Sequence, residues 1–352
     1  MEEGGRRGRR GRNSGRGRRG RRRRPRREPN LRRAEETFLE EPGSPEEEQP
    51  RIFGGEELLE GGPGPEEDAG LFDEERPRRA EPPPRRRRGG ETARRVAVAI
   101  PWILFAIAIT VAGGIVFALA MVALGWVALR EYFVMTAKMR PIQVAALIAL
   151  PALIAAAHFG DSFQILLVFA ASFPLLFAFG AAQRYRDGIT VSMGVTLLGL
   201  VWIGIPLVHA VLLRDLPAHG AALLIDVLVG TFVTDTAAYA TGRMFGSHPI
   251  APRLSPNKTI EGLIGGFLIG TMGLWFAGLY QDWLSGVDAL IIGAAVAAAA
   301  PVGDLFESML KRDLGRKDTG TLFGPHGGLL DRLDAVFFTV VVGYYLSVQL
   351  VY

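Results

Sequence analysis

The sequence predicts an all-α fold, a polytopic membrane helix bundle of about nine transmembrane helices behind a disordered N-terminal tail. Three observations predict it. Composition changes at about residue 95, after which only 14 Lys or Arg and 15 Asp or Glu remain in the chain. Nine apolar runs follow, each near the length a helix needs to cross hydrocarbon. The cations between them fall on alternate loops, as the positive-inside rule asks. Such a composition is too apolar for an ordinary soluble domain. There are no cysteines, so disulfides, thiolate zinc sites, Fe–S clusters and cysteine nucleophiles are excluded.

Residues 1–95 form the tail. They carry 26 Arg and 21 Asp or Glu, a net charge of about +5 against about −1 for residues 96–352. The charges lie in blocks: 16 Arg within 1–33, 16 acids within 34–75, and 9 Arg within 76–95. This segment buries too little apolar surface to offset its ordering entropy, so it is expected to be disordered. The Arg–Gly block suits RNA or anionic lipid. The plainer reading is a solvated tail whose blocks neutralise each other. No apolar run follows the arginine-rich start before residue 96, so it does not read as a signal peptide.

The apolar runs lie at about 96–112, 115–130, 141–157, 162–181, 191–213, 220–240, 259–280, 287–306 and 334–351. Gly113-Gly114 is the only break within the first pair, which reads as a short hairpin in preference to one long helix. With the N-terminus inside, 13 of the 14 cations after residue 95 fall on inside loops, and Arg214 alone falls outside. Fusing the first pair reverses every later loop and breaks the pattern. The long inside loops, 241–258 and 307–333, are where chemistry is expected.

The first loop follows Asp235, a charge near a helix end where charge is costly. Asp235, Ala238 and Gly242 share a helical face with Tyr239 alongside. Ser255-Pro256-Asn257-Lys258-Thr259 reads as the start of the next helix, with a Ser or Thr cap and Pro in the first turn. A helix N-terminus beside Lys258 is a phosphate site, or else a capped helix with a headgroup-anchoring cation. No Walker A loop is present. Gly262, Gly266, Gly270 and Gly273 read as a helix-packing stripe. Asp226 is either functional or bonded to a neighbouring helix, and His209, His219 and His248 read as isolated.

The second loop holds both signs of charge. Pro301-Val302-Gly303-Asp304 ends an alanine-rich span, and Asp304, Glu307 or Ser308, and Lys311 share a face. His326-Gly327-Gly328 permits a backbone turn close to a ligand, and Asp331 and Asp334 follow one turn apart. Asp304 and Asp331, from adjacent inside helix ends, can meet over one Mg²⁺, which takes one or two carboxylates plus phosphates and waters.

At these residues the chain resembles the phosphatidate cytidylyltransferase family, the CDP-diacylglycerol synthases. The signature S-x-x-K-R-x(4)-K-D-x-G-x(5)-H-G-G-x-x-D-R-x-D is filled by Ser308, Lys311, Arg312, Lys317, Asp318, Gly320, His326, Gly327, Gly328, Asp331, Arg332 and Asp334. The stretch from Asp235 through Tyr239, Gly242-Arg243, Pro252, Ser255-Pro256, Lys258 and Glu261-Gly262 is similar to the family's cytoplasmic loop. The resemblance covers roughly 96–352 and leaves the tail aside.

It implies transfer of CMP from CTP to phosphatidate, giving CDP-diacylglycerol and pyrophosphate. It implies Mg²⁺ on Asp304 and Asp331, and in some relatives a second, monovalent cation such as K⁺. Asp235, Lys258, Lys311 and Asp331 are then the expected catalytic residues. Ser255, Lys258, Ser308, Lys311, Arg312, Lys317, His326, Gly327, Gly328 and Arg332 are expected to hold CTP and its phosphates. A homodimer in the plasma membrane of a bacterium, with N-terminus and site cytoplasmic, is also implied. Two other readings compete: a cytidylyltransferase for a different lipid phosphate, and a membrane transporter. Against the transporter, the charges cluster at one face and no inverted repeat is visible.

Overall fold

The computed structural model describes residues 104–183, 187–320 and 327–352. The tail readings, Arg184, Arg186 and His326 lie outside the described residues. The architecture is helical apart from one small hairpin. A stretch at 104–112, α1, is followed by α2 (Gly114–Met135), α3 (Gln143–Phe159), α4 (Ser162–Ala181) and α5 (Ile189–Arg214). Then come α6 (Gly220–Phe245), α7 (Ile260–Gly278), α8 (Gly286–Asp313) and α9 (Leu330–Leu350). Seven of these are long and apolar enough to cross a membrane, and α3 is an apolar helix just short of that length. The protein is an integral membrane protein, and the exposed Phe, Leu, Ile and Val side chains along these helices are what a lipid-facing surface requires.

The sequence explains where the helices stop. Gly113 and Gly114 both have positive φ, at 60° and 52°, so α1 and α2 are separate. Gly113 is also required by space: a Cβ there would stand 1.7 Å from the Arg214 guanidinium. Arg214 donates to the Thr110 and Val111 carbonyls that the break leaves open. Asp161 and Gln164 form a capping box on α4, and Ser285 caps α8 through the Asp288 N–H. Within α5 the turn Leu200–Gly204 widens to π, just before Pro206, whose ring nitrogen cannot donate to the preceding turn.

The structure differs from the sequence reading at two places that bear on the site. Ser255–Thr259 is a strand, β2, paired antiparallel with β1 (Pro249–Ala251), and not a first helical turn. The helix begins one residue later, capped by Thr259, whose side chain accepts from the Gly262 N–H. Pro256 sits in this exposed two-stranded ribbon, where a missing N–H costs little. In α8, Pro301 does not end the helix, which continues to Asp313.

Helices α6 to α9 pack through small residues. Gly266 lies against Ala238 and Gly270 against Thr234, so the glycines of α7 are a packing stripe on α6. Gly343 of α9 faces Val227, and Thr231 donates to Thr339 at 2.8 Å. Helices α8 and α9 meet backbone to backbone, where a Cβ on Gly303 would stand 2.3 Å from the Asp334 carbonyl oxygen. Helices α2 to α5 pack around buried Leu129, Tyr132, Phe133, Leu150, Leu153 and Ile203. Tyr132 donates to the Val195 carbonyl at 2.9 Å. Interior polar groups are bonded in the same way: Asp226 accepts from Gln281 at 2.7 Å, His209 meets Tyr345, and His219 stacks on Trp283.

Gly303→Ala should force α8 and α9 apart and lower the thermal unfolding midpoint in detergent, by a destabilisation of about 1–3 kcal/mol. Gly194→Ala, where a Cβ would meet nothing within 4 Å, should leave the midpoint unchanged or raised. Light scattering or intrinsic fluorescence on heating checks both.

Candidate active site

The charged side chains converge at one end of the bundle. This is the end where α2, α6 and α8 finish and where α7 and α9 begin. Each enters with a local reason. The β1–β2 hairpin is tied down by Glu261, which accepts from the Ser247 and His248 N–H groups and lies 2.5 Å from the His248 ring. The hairpin carries Lys258 to α8, where its Nζ meets Asp304 Oδ2 at 2.7 Å. Asp235, on the last turns of α6, feels the charges of both Asp304 and Lys258. Because Gly303 brings α8 onto the α9 backbone, Asp304 lies in hydrogen-bond contact with the carboxyl group of Asp334.

Two turns along α8 from Asp304, Lys311 bridges two helices. Its Nζ stands 2.7 Å from Glu307 Oε2 and 2.8 Å from Asp331 Oδ1. Glu307 is 1% exposed, so this ammonium is its counter-charge in a nearly dry setting. The other oxygen of Asp331 accepts three bonds, from the Thr319 N–H, the Thr319 hydroxyl and the Gly328 N–H, at 3.0, 2.8 and 2.8 Å. Gly327, at φ 83°, makes this wrap possible: a Cβ there would stand 2.6 Å from Asp331 Oδ2. The glycine pair therefore turns close to Asp331.

The other expected residues are placed more loosely. Arg312 donates to the Leu254 carbonyl at 3.2 Å and so ties α8 to the hairpin turn. Ser308 is half-buried on α8, Ser255 opens β2, and Lys317 and Arg332 are exposed. Thus Asp235, Lys258, Asp304, Lys311 and Asp331 are gathered, whereas Ser255, Ser308, Arg312, Lys317 and Arg332 lie on the same elements or loops. Sequence reasoning missed three members. Asp334 fills a signature position but receives no role from the sequence, Glu307 is only an alternative to Ser308, and Glu131 of α2 is not singled out at all. The available signal for Glu131 was a carboxylate next to Arg130 at the end of an apolar run.

The residues suit a hard divalent cation in kind. Carboxyl groups in contact, as at Asp304 and Asp334, repel unless a proton or cation lies between them. Among the described residues Glu307 Oε1 is buried without a hydrogen-bond partner. Oxygen-only donors are what Mg²⁺ selects. Also among the described residues, no group of three or more His, Asp or Glu closes around a single point; Asp331 Oδ2 is taken by Thr319 and Gly328, and Oδ1 faces Lys311 alone.

Comparison with known proteins follows this geometry. A family model described as the cytidylyltransferase family matches residues 93–350. A phosphatidate cytidylyltransferase of Aquifex aeolicus is 33% identical over 177 residues, 49% of this chain and 64% of that protein. One from Thermotoga maritima is 43% identical over 131 residues, 36% of this chain and 48% of the relative. One from Mycobacterium leprae is 36% identical over 128 residues, 36% of this chain and 41% of the relative. The matched segment thus spans less than two thirds of each of these relatives.

Lys311→Met should leave Glu307 and Asp331 without their shared cation and cost about 3–5 kcal/mol of stability. Lys258→Met, at a pair left more open to solvent, should cost about 1 kcal/mol or less. Thermal midpoints of the two purified variants, compared with the parent, test this ordering.

Proposed function

Because the chain belongs to the cytidylyltransferase family, we propose that it transfers CMP from CTP to phosphatidate, giving CDP-diacylglycerol and pyrophosphate. The observation that carries this reading is the site end itself, where Lys258 and Lys311 are each held by carboxylates of neighbouring elements. Two ammonium groups in such a setting can exchange carboxylate for phosphate partners when CTP arrives. The names of the relatives support the substrate pair.

The lipid phosphate is the nucleophile. A phosphomonoester has a second pKa near ~6, so at neutral pH it is largely dianionic and needs no strong base. One of its oxygens bonds to the α-phosphorus of CTP in line with the bond that breaks. The electron pair of that bond leaves on pyrophosphate. The obstacle is repulsion between anions, so the chain's contribution is positioning and charge. Lys258, Lys311 and Arg312 hold phosphates, and Lys317 and Arg332 add positive charge at the rim. Ser255, Ser308, Gly327 and Gly328 supply hydroxyl and N–H donors. Asp235 orients the groups around Lys258. Asp304 and Asp331 would hold Mg²⁺, with Asp334 beside Asp304; the ion supplies neutralisation of the triphosphate charge when bound. A monovalent cation such as K⁺ is a second candidate for the same carboxylates.

Cations gathered at this end of the helices support a cytoplasmic site, where CTP is, in a bacterial plasma membrane. A homodimer belongs to the same reading. The headgroup chemistry would serve another lipid phosphate equally well, so the acceptor is the variable to test.

In detergent with labelled CTP, Mg²⁺ and phosphatidate, Asp304→Asn and Asp331→Asn should each lower CDP-lipid formation about 10²–10³-fold. An Asp331→Asn variant as active as the parent would remove the metal assignment. Thin-layer separation of products from phosphatidate, an ether-linked phosphatidate and an isoprenoid phosphate identifies the acceptor. Labelled lipid from phosphatidate is expected, and label in none of them overturns the reaction.

A further inference from the structure

We infer that Glu131 is a positioning residue, an acceptor from the other half of the bundle that holds the Gly328–Leu330 backbone in the shape that grips Asp331. This rests on reading the site as a cytidylyltransferase centre.

Glu131 lies on α2, far in sequence from every other site residue, and is 9% exposed. A carboxyl group buried at the end of an apolar helix is costly unless its oxygens are bonded. Glu131 Oε2 accepts from the Leu330 N–H at 3.0 Å, across 199 residues of sequence, while Oε1 is buried without a hydrogen-bond partner among the described residues. Leu330 is the first residue of α9, so its N–H has no partner within the helix, and Glu131 meets that need from outside.

The fit around the carboxyl group is tight on two sides. A Cβ on Gly320 would stand 2.7 Å from Glu131 Oε1, and one on Gly328 would stand 2.5 Å from Oε2. Both glycines therefore lie against this one side chain with backbone alone. Their neighbours grip the other carboxylate: Thr319, next to Gly320, and Gly328 itself donate to Asp331 Oδ2. Glu131 and Asp331 thus divide the backbone donors of Thr319, Gly328 and Leu330 between them. Asp331 takes Thr319 and Gly328, and Glu131 takes Leu330. Loss of Glu131 frees the backbone on which the aim of Asp331 depends, while every group proposed to touch substrate remains.

The inference is tested on the full-length protein in nanodiscs with Glu131→Ala and Glu131→Gln. Glutamine keeps an oxygen for the Leu330 N–H, whereas alanine keeps none. Hydrogen exchange by mass spectrometry, without substrate or metal, should show peptides spanning 327–335 exchanging about tenfold faster in E131A. In E131Q they should exchange as in the parent. In the CTP assay E131A should lose about 10²-fold in kcat with KM for the lipid unchanged, and E131Q should recover most of it. Unchanged exchange in E131A overturns the inference, as does an E131Q variant as impaired as E131A. A parent protein that makes no CDP-lipid, with the exchange pattern as expected, overturns the proposed reaction and leaves the role of Glu131 standing.

Discussion

Lys311 is the contact on which the site depends. Its ammonium stands between Glu307 on its own helix and Asp331 on the next, at 2.7 and 2.8 Å. At the mouth of a membrane bundle a carboxylate cannot rely on water for its counter-charge. One lysine shared by two acids offsets part of the charge of each and ties α8 to α9. The Gly303 contact with the α9 backbone sets how near the helices come, and Lys311 sets which turns face each other. Asp304, Asp334 and Lys258 then take their places around that join.

Much of this was legible in the residues, for physical reasons. Apolar runs of spanning length give helices whatever surrounds them, and the Gly113-Gly114 break follows from backbone freedom that only glycine has. The gathering of charge at 308–334 was visible because so little charge occurs elsewhere. What the sequence concealed was tertiary. Ser255-Pro256 carries helix-start chemistry, yet the hairpin with Pro249–Ala251 draws it into a strand, and Thr259 takes the cap. Periodicity placed Asp304 and Lys311 on a shared face, but it could not show that each finds its ion partner on another element, Lys258 and Asp331. Glu131 was the hardest to see. Its partners lie about two hundred residues away and are backbone groups, which leave no mark in side-chain pattern.

The two halves of the bundle contribute differently. Helices α6 to α9 supply the groups proposed to meet substrate. Helices α2 to α5 supply a packed support around Tyr132 and Trp202, whose ring edges meet Phe306 and Phe337 of the other half. Phe306 is the residue before Glu307. Aromatic packing from one half thus backs the acidic turn of the other and holds its charged groups still.

The glycine seam between α6 and α7 has a consequence for traffic in the plane of the membrane. With Gly242, Gly262, Gly266 and Gly270 at the contact, α6 and α7 pack closely along the stretch of α7 from Gly262 to Gly270. A fatty chain needs a gap about as wide as a methylene stack, and this boundary offers none. The seam therefore acts as a wall. Along that flank an acyl chain finds no opening between α6 and α7.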